Sequence, residues 1–143
     1  MIIIAHNIRS LHNVGAIFRN AAAFGVEKLY LTGITATPPR KEIAKVALGA
    51  QDLVDWEQGE ISQVIEWVRR RDYIVYGLET GADAIAIKDV DTEKQIALVL
   101  GSEVDGIDKD TLELLDGIVE IPMGKKRSLN VSVASGVAMY ALT

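Results

Sequence analysis

The sequence contains no cysteine and only two histidines, His6 and His12. Disulfides and thiolate chemistry are excluded, and so is a His/Cys zinc site; no metal is expected. Positive charge is in deficit, with 15 Lys and Arg against 20 Asp and Glu, for a net charge of −5. Indiscriminate nucleic-acid binding draws its affinity from phosphate neutralisation, so this balance argues against it while leaving local basic clusters free to act. No apolar run approaches the ~18 residues of a membrane span. No basic and apolar leader precedes the first apolar run, so a cytoplasmic chain without a membrane partner is expected. The three spaced glycines of a dinucleotide site and the lysine loop of an NTPase are also missing, which removes nicotinamide and NTP chemistry. Ser128 has no histidine base nearby in sequence and no nucleophile-elbow pattern, which disfavours a serine hydrolase.

What is present suits one compact domain over residues 1–143: 49% of residues are hydrophobic and 24% charged. Met1–Ala5 is apolar and short, as a buried strand is. A polar loop follows, and Asn13 is expected to open a helix with the stripe Val14, Ile17, Phe18, Ala21 and Phe24, closed by Gly25. Further strands are expected at 28–31, 54–56, 73–78, 96–100 and 118–121, and helices at 42–48, 61–70, 111–115 and after Asn130. The segment 34–41, with Pro38, Pro39, Arg40 and Lys41, reads as a stiff polar loop, either an RNA-facing arm or a connection. Residues 83–93 read as loop. Strands alternating with helices define an α/β fold, a mostly parallel sheet with helices on both faces.

Ligands of such sheets bind at the carboxyl ends of strands. Three of those ends carry Gly or Pro with polar residues: Leu78–Thr80, Gly101–Glu103 and Pro122–Asn130. The last leads through Gly124, Lys125, Lys126 and Arg127 into Ser128, Leu129, Asn130 and a helix whose apolar positions cover most of its circumference, which predicts a helix inside the fold. Ser128 and Asn130 stand where helix caps stand, so capping alone accounts for either of them singly. Arg19, off the apolar stripe of its own helix, is flanked one turn away by Gly15, Ala16, Ala22 and Ala23; it is either a surface arginine or a guanidinium with room for a ligand. Glu103, Asp105 and Asp108 follow a buried strand; they read either as a metal site or, as loop carboxylates after a glycine more often do, as caps or backbone acceptors.

Three blocks taken together resemble the SpoU/TrmH family of the SPOUT superfamily: Asn13-Val14-Gly15-Ala16-Ile17-Phe18-Arg19 with Phe24-Gly25, Leu98–Glu103 with Gly106-Ile107, and Ile121-Pro122-Met123 with Ser128–Ala134. The resemblance covers essentially the whole chain. It implies a C-terminal deep trefoil knot, against the usual rule that connections do not thread, and a homodimer with the active site at the subunit contact. The implied activity is RNA ribose 2′-O-methylation with S-adenosylmethionine as cofactor and tRNA or rRNA as substrate. By position, Asn13, Arg19, Glu103, Ser128 and Asn130 take the catalytic roles. Leu78, Thr80, Gly101, Ile121, Met123, Ser128 and Leu129 take the cofactor. Arg9, Arg40, Lys41, Lys45, Lys125, Lys126 and Arg127 are the candidate phosphate contacts. The sequence departs from the common family form in a shorter loop between Met123 and Ser128, in Val104 where Gly is frequent and in Ala141 where Glu is frequent. Two other classes compete: an RNA- or nucleotide-binding dimer that kept the scaffold and lost turnover, and an unrelated metabolite-binding α/β enzyme.

Overall fold

A computed structural model describes residues 1–143. Seven strands, β1 (Ile2–His6), β2 (Lys28–Thr32), β3 (Trp56–Gly59), β4 (Ile74–Leu78), β5 (Ile85–Ala86), β6 (Ile96–Leu100) and β7 (Gly117–Glu120), form one sheet in the order β3-β2-β1-β6-β4-β7-β5. Every neighbouring pair is parallel. The all-apolar composition of β6 and the first four residues of β1 explains their central place, because a parallel strand covered on both faces buries every side chain.

The period of two splits the buried residues between two cores. Ile3, Ala5, Leu29, Leu31, Leu98 and Leu100 face helices α1 (Leu11–Ala23), α2 (Lys41–Ala47) and α5 (Val131–Leu142). Ile2, Ile4, Tyr30, Val75, Ala97 and Val99 face α3 (Ile61–Arg69) and the leucines in and after α4 (Lys109–Glu113). Helices therefore cover both faces, as expected. No helix is long and apolar enough to cross a membrane.

Several boundaries differ from the sequence reading. Asn13 does not open α1: Ser10 is the cap, its Oγ accepting from the Asn13 amide at 3.2 Å, and Asn13 is buried in the first turn. Ser and Asn are equally good caps, so the local pattern could not choose between them. The strand expected at 54–56 lies at Trp56–Gly59, because pairing with β2 sets it and Val54 is buried in the turn before it. The stretch 83–93, read as loop, contains β5, which exists through its pairing with β7.

The largest correction concerns α5. Ser135, Ala138, Met139 and Leu142 are buried against the sheet, but Val133, Val137 and Tyr140 are 51%, 40% and 74% exposed. An all-round apolar helix signals burial without saying against what, and in this chain Val133, Val137 and Tyr140 face outward.

The chain order carries one further consequence. β7, the last strand in sequence, lies between β4 and β5, which are consecutive, so the 79–84 connection bridges across the end of β7.

Candidate active site

Because all strands run parallel, the loops after β1, β4, β6 and β7 emerge on one edge of the sheet. β1, β2 and β3 spread to one side and β6, β4, β7 and β5 to the other, so the wind of the sheet reverses between β1 and β6. Such reversals open a crevice at the carboxyl ends.

Glu103 occupies that crevice. Its Oε2 accepts from the Arg9 amide at 2.9 Å, and its Oε1 accepts from the Ser10 amide at 3.0 Å and from Asn13 Nδ2 at 3.1 Å. Desolvation works against the charged carboxylate, but the Arg9, Ser10 and Asn13 donors outweigh it and hold its pKa below the ordinary 4.5. The carboxylate also sits at the start of α1, where negative charge is favoured. Asn13 is thereby fixed, buried, with its amide group tied to Glu103.

The loop that carries Glu103 is itself tightly built. Ser102 and Gly106 exchange two backbone hydrogen bonds of 3.0 Å across it. A Cβ on Gly101 would lie 2.5 Å from the Gly106 carbonyl carbon and 2.6 Å from the Ile107 nitrogen, so only glycine fits below the returning chain. Glu79, just after β4, accepts from the Thr80 amide at 2.9 Å and from the Ile107 amide at 3.3 Å. This carboxylate ties the β4 end to the β6 loop, a link no local pattern announced.

At the ends of β4 and β7 the architecture opens. A cavity of about 210 Å³ is lined by Leu78, Glu79, Thr80, Glu120, Ile121, Met123, Arg127, Ser128, Leu129 and Ala134. A second, of about 460 Å³, shares Thr80, Glu120, Ile121, Met123 and Arg127 with it and adds Gly81 and Ala82. Of the residues expected at a cofactor, Leu78, Thr80, Ile121, Met123, Ser128 and Leu129 line the first cavity. Gly101 does not: it lies under the 102–106 turn, where its role is to let two backbones approach.

The remaining candidates divide. Asn130 is the cap of α5, its Oδ1 accepting from the Ser132 amide at 2.9 Å and from the Ser132 hydroxyl at 2.6 Å. Ser128 is exposed and makes no hydrogen bond through its hydroxyl. Arg19 is exposed, with neither ion pair nor hydrogen bond, and does not touch Glu103. Its neighbour Asn20, absent from the sequence reading, donates to the Ser132 carbonyl at 2.8 Å and to Ser135 Oγ at 3.0 Å, joining α1 to α5.

The basic candidates fall into three groups. Arg9 lies 3.5 Å from Asp105. Arg40, 3.6 Å from Glu42, stands with Lys41 and Lys45 around α2. Lys125, Lys126 and Arg127 lie exposed on the loop after β7. The triplet Arg69-Arg70-Arg71 is spent on local contacts with Asp116, Glu66 and the Trp67 ring. No cluster of three or more metal-ligating side chains is present.

The chain is 33% identical to the 23S rRNA (guanosine-2'-O-)-methyltransferase RlmB of Coxiella burnetii over 98% of its own length and 56% of that protein's. It thus spans little more than half the length of this curated relative. Its fold superposes on the AdoMet-bound rRNA methyltransferase from Sinorhizobium meliloti with a TM-score of 0.91 at 23% identity, covering 99% of this chain and 54% of that one. For the TrmH/SpoU tRNA modifying enzyme of A. aeolicus the TM-score is 0.87 at 29% identity, with 99% and 72% covered. The model of the SpoU rRNA Methylase family matches residues 1–140, and the chain belongs to that family.

Proposed function

We propose that this chain is an S-adenosylmethionine-dependent RNA ribose 2′-O-methyltransferase acting on tRNA or rRNA. The observation that carries the reading is the presence, on one sheet edge, of a bonded Asn13–Glu103 pair and a cavity lined by Leu78, Thr80, Ile121, Met123, Ser128 and Leu129. The residues suit the cofactor. Leu78, Ile121, Leu129 and Ala134 offer apolar walls for an adenine, strand-end backbone groups offer donors and acceptors, and Glu120 and Arg127 offer opposite charges to an amino-acid zwitterion. The AdoMet-bound S. meliloti protein of the same fold supports the same choice.

The bound cofactor supplies an electrophilic methyl carbon. The protein's task is then to hold the ribose 2′-oxygen in line with it and to ease removal of the hydroxyl proton. Glu103 positions Asn13 and not Arg19, so Asn13 is the group poised to bond the ribose, with Ser128 contributing an unengaged hydroxyl from the cavity side. Arg19, whose guanidinium offers donors and no acceptor, serves as a phosphate anchor that polarises the neighbouring hydroxyl, not as a base. Asn130 holds the start of α5 and with it Ser128 and Leu129.

Two structural readings accompany the activity. The bridge of the 79–84 connection over the end of β7 supports a trefoil knot in which the C-terminal segment passes through that loop. The outward Val133, Val137 and Tyr140 face, with Phe24 packed edge-on against Tyr140 at 6.0 Å, supports a homodimer formed through α1 and α5. RNA as substrate fits a cytoplasmic location.

The test is transfer of labelled methyl groups from S-adenosylmethionine to total tRNA and rRNA, with Arg19→Ala alongside. Wild-type labelling confined to ribose 2′-oxygens, with Arg19→Ala binding cofactor normally but failing to transfer, is the expected outcome. RNA binding without any transfer would replace this reading by the binding-only dimer. Indifference to both RNA and cofactor would replace it by a metabolite enzyme.

A further inference from the structure

The ends of β1 and β2 hold a buried polar cluster that the methyl-transfer reading does not use. At its centre is His6, the last residue of β1, only 6% exposed. Its Nδ1 lies 2.9 Å from the Thr32 hydroxyl, and its Nε2 faces two groups at once, Asn7 Nδ2 at 3.2 Å and Asp108 Oδ1 at 3.4 Å. The charged groups within electrostatic reach of the ring are both carboxylates: Asp108, the cap of α4, and Glu60, the cap of α3.

The surroundings fix where the neutral ring carries its hydrogen. Asn7 is held in the left-handed region at φ 55°, and its Oδ1 accepts from the Ile34 amide at 3.0 Å. A Cβ on Gly33 would fall 1.9 Å from that Oδ1, so the loop after β2 closes tightly on it, and Asn7 cannot turn its amide over without setting N–H against N–H. Nδ2, which only donates, therefore points at Nε2, and Nε2 must accept. On the other side the Thr32 hydroxyl donates to the Ala5 carbonyl at 3.5 Å, which leaves its oxygen to accept from Nδ1–H. Both sides assign neutral His6 the Nδ1–H form. In that form a lone pair on Nε2 faces Asp108 Oδ1, and no hydrogen joins them. A second proton reverses the preference: Nε2–H is turned against the Asn7 amide hydrogens and towards the carboxylate.

We propose that His6 is a proton-operated positioning residue: neutral, it accepts from Asn7 and secures the loop after β2; protonated, it releases Asn7 and donates to Asp108, clamping the loop that carries Glu103 onto the end of β1. The step takes one proton from solvent onto Nε2 and breaks no other covalent bond. Asp108 follows Glu103 on the same loop, and Glu103 fixes Asn13, so the clamp reaches Asn13 through Glu103. Histidine suits the task because its charge changes near neutral pH. A bond between two charged groups is also stronger than the neutral one it replaces. The exchange of partners rests on the geometry alone; its effect on methyl transfer rests on the function proposed above.

The experiment is an NMR pH titration of the protein carrying ¹⁵N in its histidine rings and amides, run beside methyl transfer to total tRNA and rRNA over the same range, about pH 8 to 6, where histidine ordinarily changes charge. At the upper end Nε2 of His6 should resonate as an unprotonated ring nitrogen and Nδ1 as a protonated one. Acidification should protonate Nε2, and the Asn7 side-chain amide and the backbone amides from Glu103 to Asp108 should shift with the same midpoint. Asp108→Asn still offers a good cap to α4, so it should keep the fold and the Nδ1–H form while the 103–108 amides stay still. With cofactor saturating, the ratio of wild-type to Asp108→Asn transfer rates should rise about threefold from the upper to the lower end, whereas a merely structural Asp108 would give a constant ratio. A neutral ring protonated on Nε2 overturns the proposal, as does protonation of His6 that leaves Asn7 and the 103–108 amides unmoved. A ratio of rates independent of pH overturns the positioning role. Exchange of partners in a protein that transfers no methyl group upholds the switch and rejects methyl transfer.

Discussion

The two mouths of the sheet edge are built on opposite plans. At β1 and β6, Glu103 takes three hydrogen bonds, Asn13 is buried and Gly101 admits a turn that closes backbone on backbone. At β4 and β7 the residues from Gly124 to Asn130 are all exposed, and the Asn130 cap is their one side-chain hydrogen-bonded feature. One mouth is finished in the free chain and the other is open. A group that must align a nucleophile gains from being fixed in advance, because small misplacements cost large factors in rate. A group that must admit and release a whole cofactor gains from walls that are not locked by side-chain bonds. On the function proposed above, the difference would divide the labour: geometry of attack at β1/β6, and capture at β4/β7.

The largest effect that tests this division is expected from Glu103→Ala. It removes the acceptor for the Arg9, Ser10 and Asn13 donors, so methyl transfer should fall by about 100-fold and stability by about 1 kcal/mol, since the carboxylate is solvent-exposed and water replaces part of what it accepts. Cofactor affinity should stay within about twofold of the wild type, as read by calorimetry. If cofactor affinity collapses with the rate, the mouths are one unit and the comparison breaks. Thr80→Trp is the complementary change: the exposed Thr80 side chain lines both cavities, so the larger ring should weaken cofactor binding by about tenfold or more, with little change in melting temperature. A Thr80→Trp variant that binds cofactor normally would place the cofactor elsewhere on the edge.

This asymmetry also decides what could be read before the structure. β6 was legible to the residue, because five apolar residues end at a glycine whose missing side chain the turn requires. Leu78, Glu79, Thr80, Met123, Arg127, Ser128 and Leu129 of the cavity fall in stretches legible from their places after strands, since a parallel sheet collects those ends on one edge, while their assignment to a cofactor came from the family resemblance. β5 was not, because two residues such as Ile85 and Ala86 become a strand only through a partner far along the chain, and for β3 the strand was legible but its bounds, set by pairing with β2, were not. Nor were Asn20 and Glu79, whose use depends on α5 and on the 101–107 loop arriving beside them. For α5 the composition was read correctly as apolar and wrongly as internal: periodicity reports hydrophobicity, not which neighbour buries it. If that face is a subunit contact, Val137→Glu should halve the mass seen by analytical ultracentrifugation and leave the helical content of each chain intact.

Glu79→Ala probes the joint between the two mouths. Loss of the Thr80 and Ile107 bonds should loosen the 101–107 loop against the β4 end, lowering both cofactor affinity and turnover by about fivefold, the value of one ordinary hydrogen bond. An effect on one mouth alone would show that the carboxylate merely shapes its own side.

The smallest expected effect is a pH dependence, and it singles out the finished mouth. The Glu103 pKa is held below its ordinary 4.5 by the Arg9, Ser10 and Asn13 donors, in spite of desolvation. A carboxylate with a depressed folded-state pKa binds its proton more weakly in the folded chain than in the unfolded one. Its contribution to stability is therefore complete above the unfolded value and is lost as pH falls through the lower folded value. Asp108, held below 3.8 chiefly by the Thr111 hydroxyl, adds a loss of the same sign at still lower pH. Melting temperature should accordingly drop between about pH 5 and 3. Glu103→Gln, which cannot titrate, should start lower at pH 7 and fall less over that interval, with Asp108, Glu27 (bonded to the N-terminal ammonium) and Glu60 (bonded to Ser62), all likewise held below their ordinary values, accounting for what remains. If the variant and the wild type lose stability in parallel, the three donors do not favour the charged carboxylate, and the β1/β6 mouth is no more preorganised than the open one beside it.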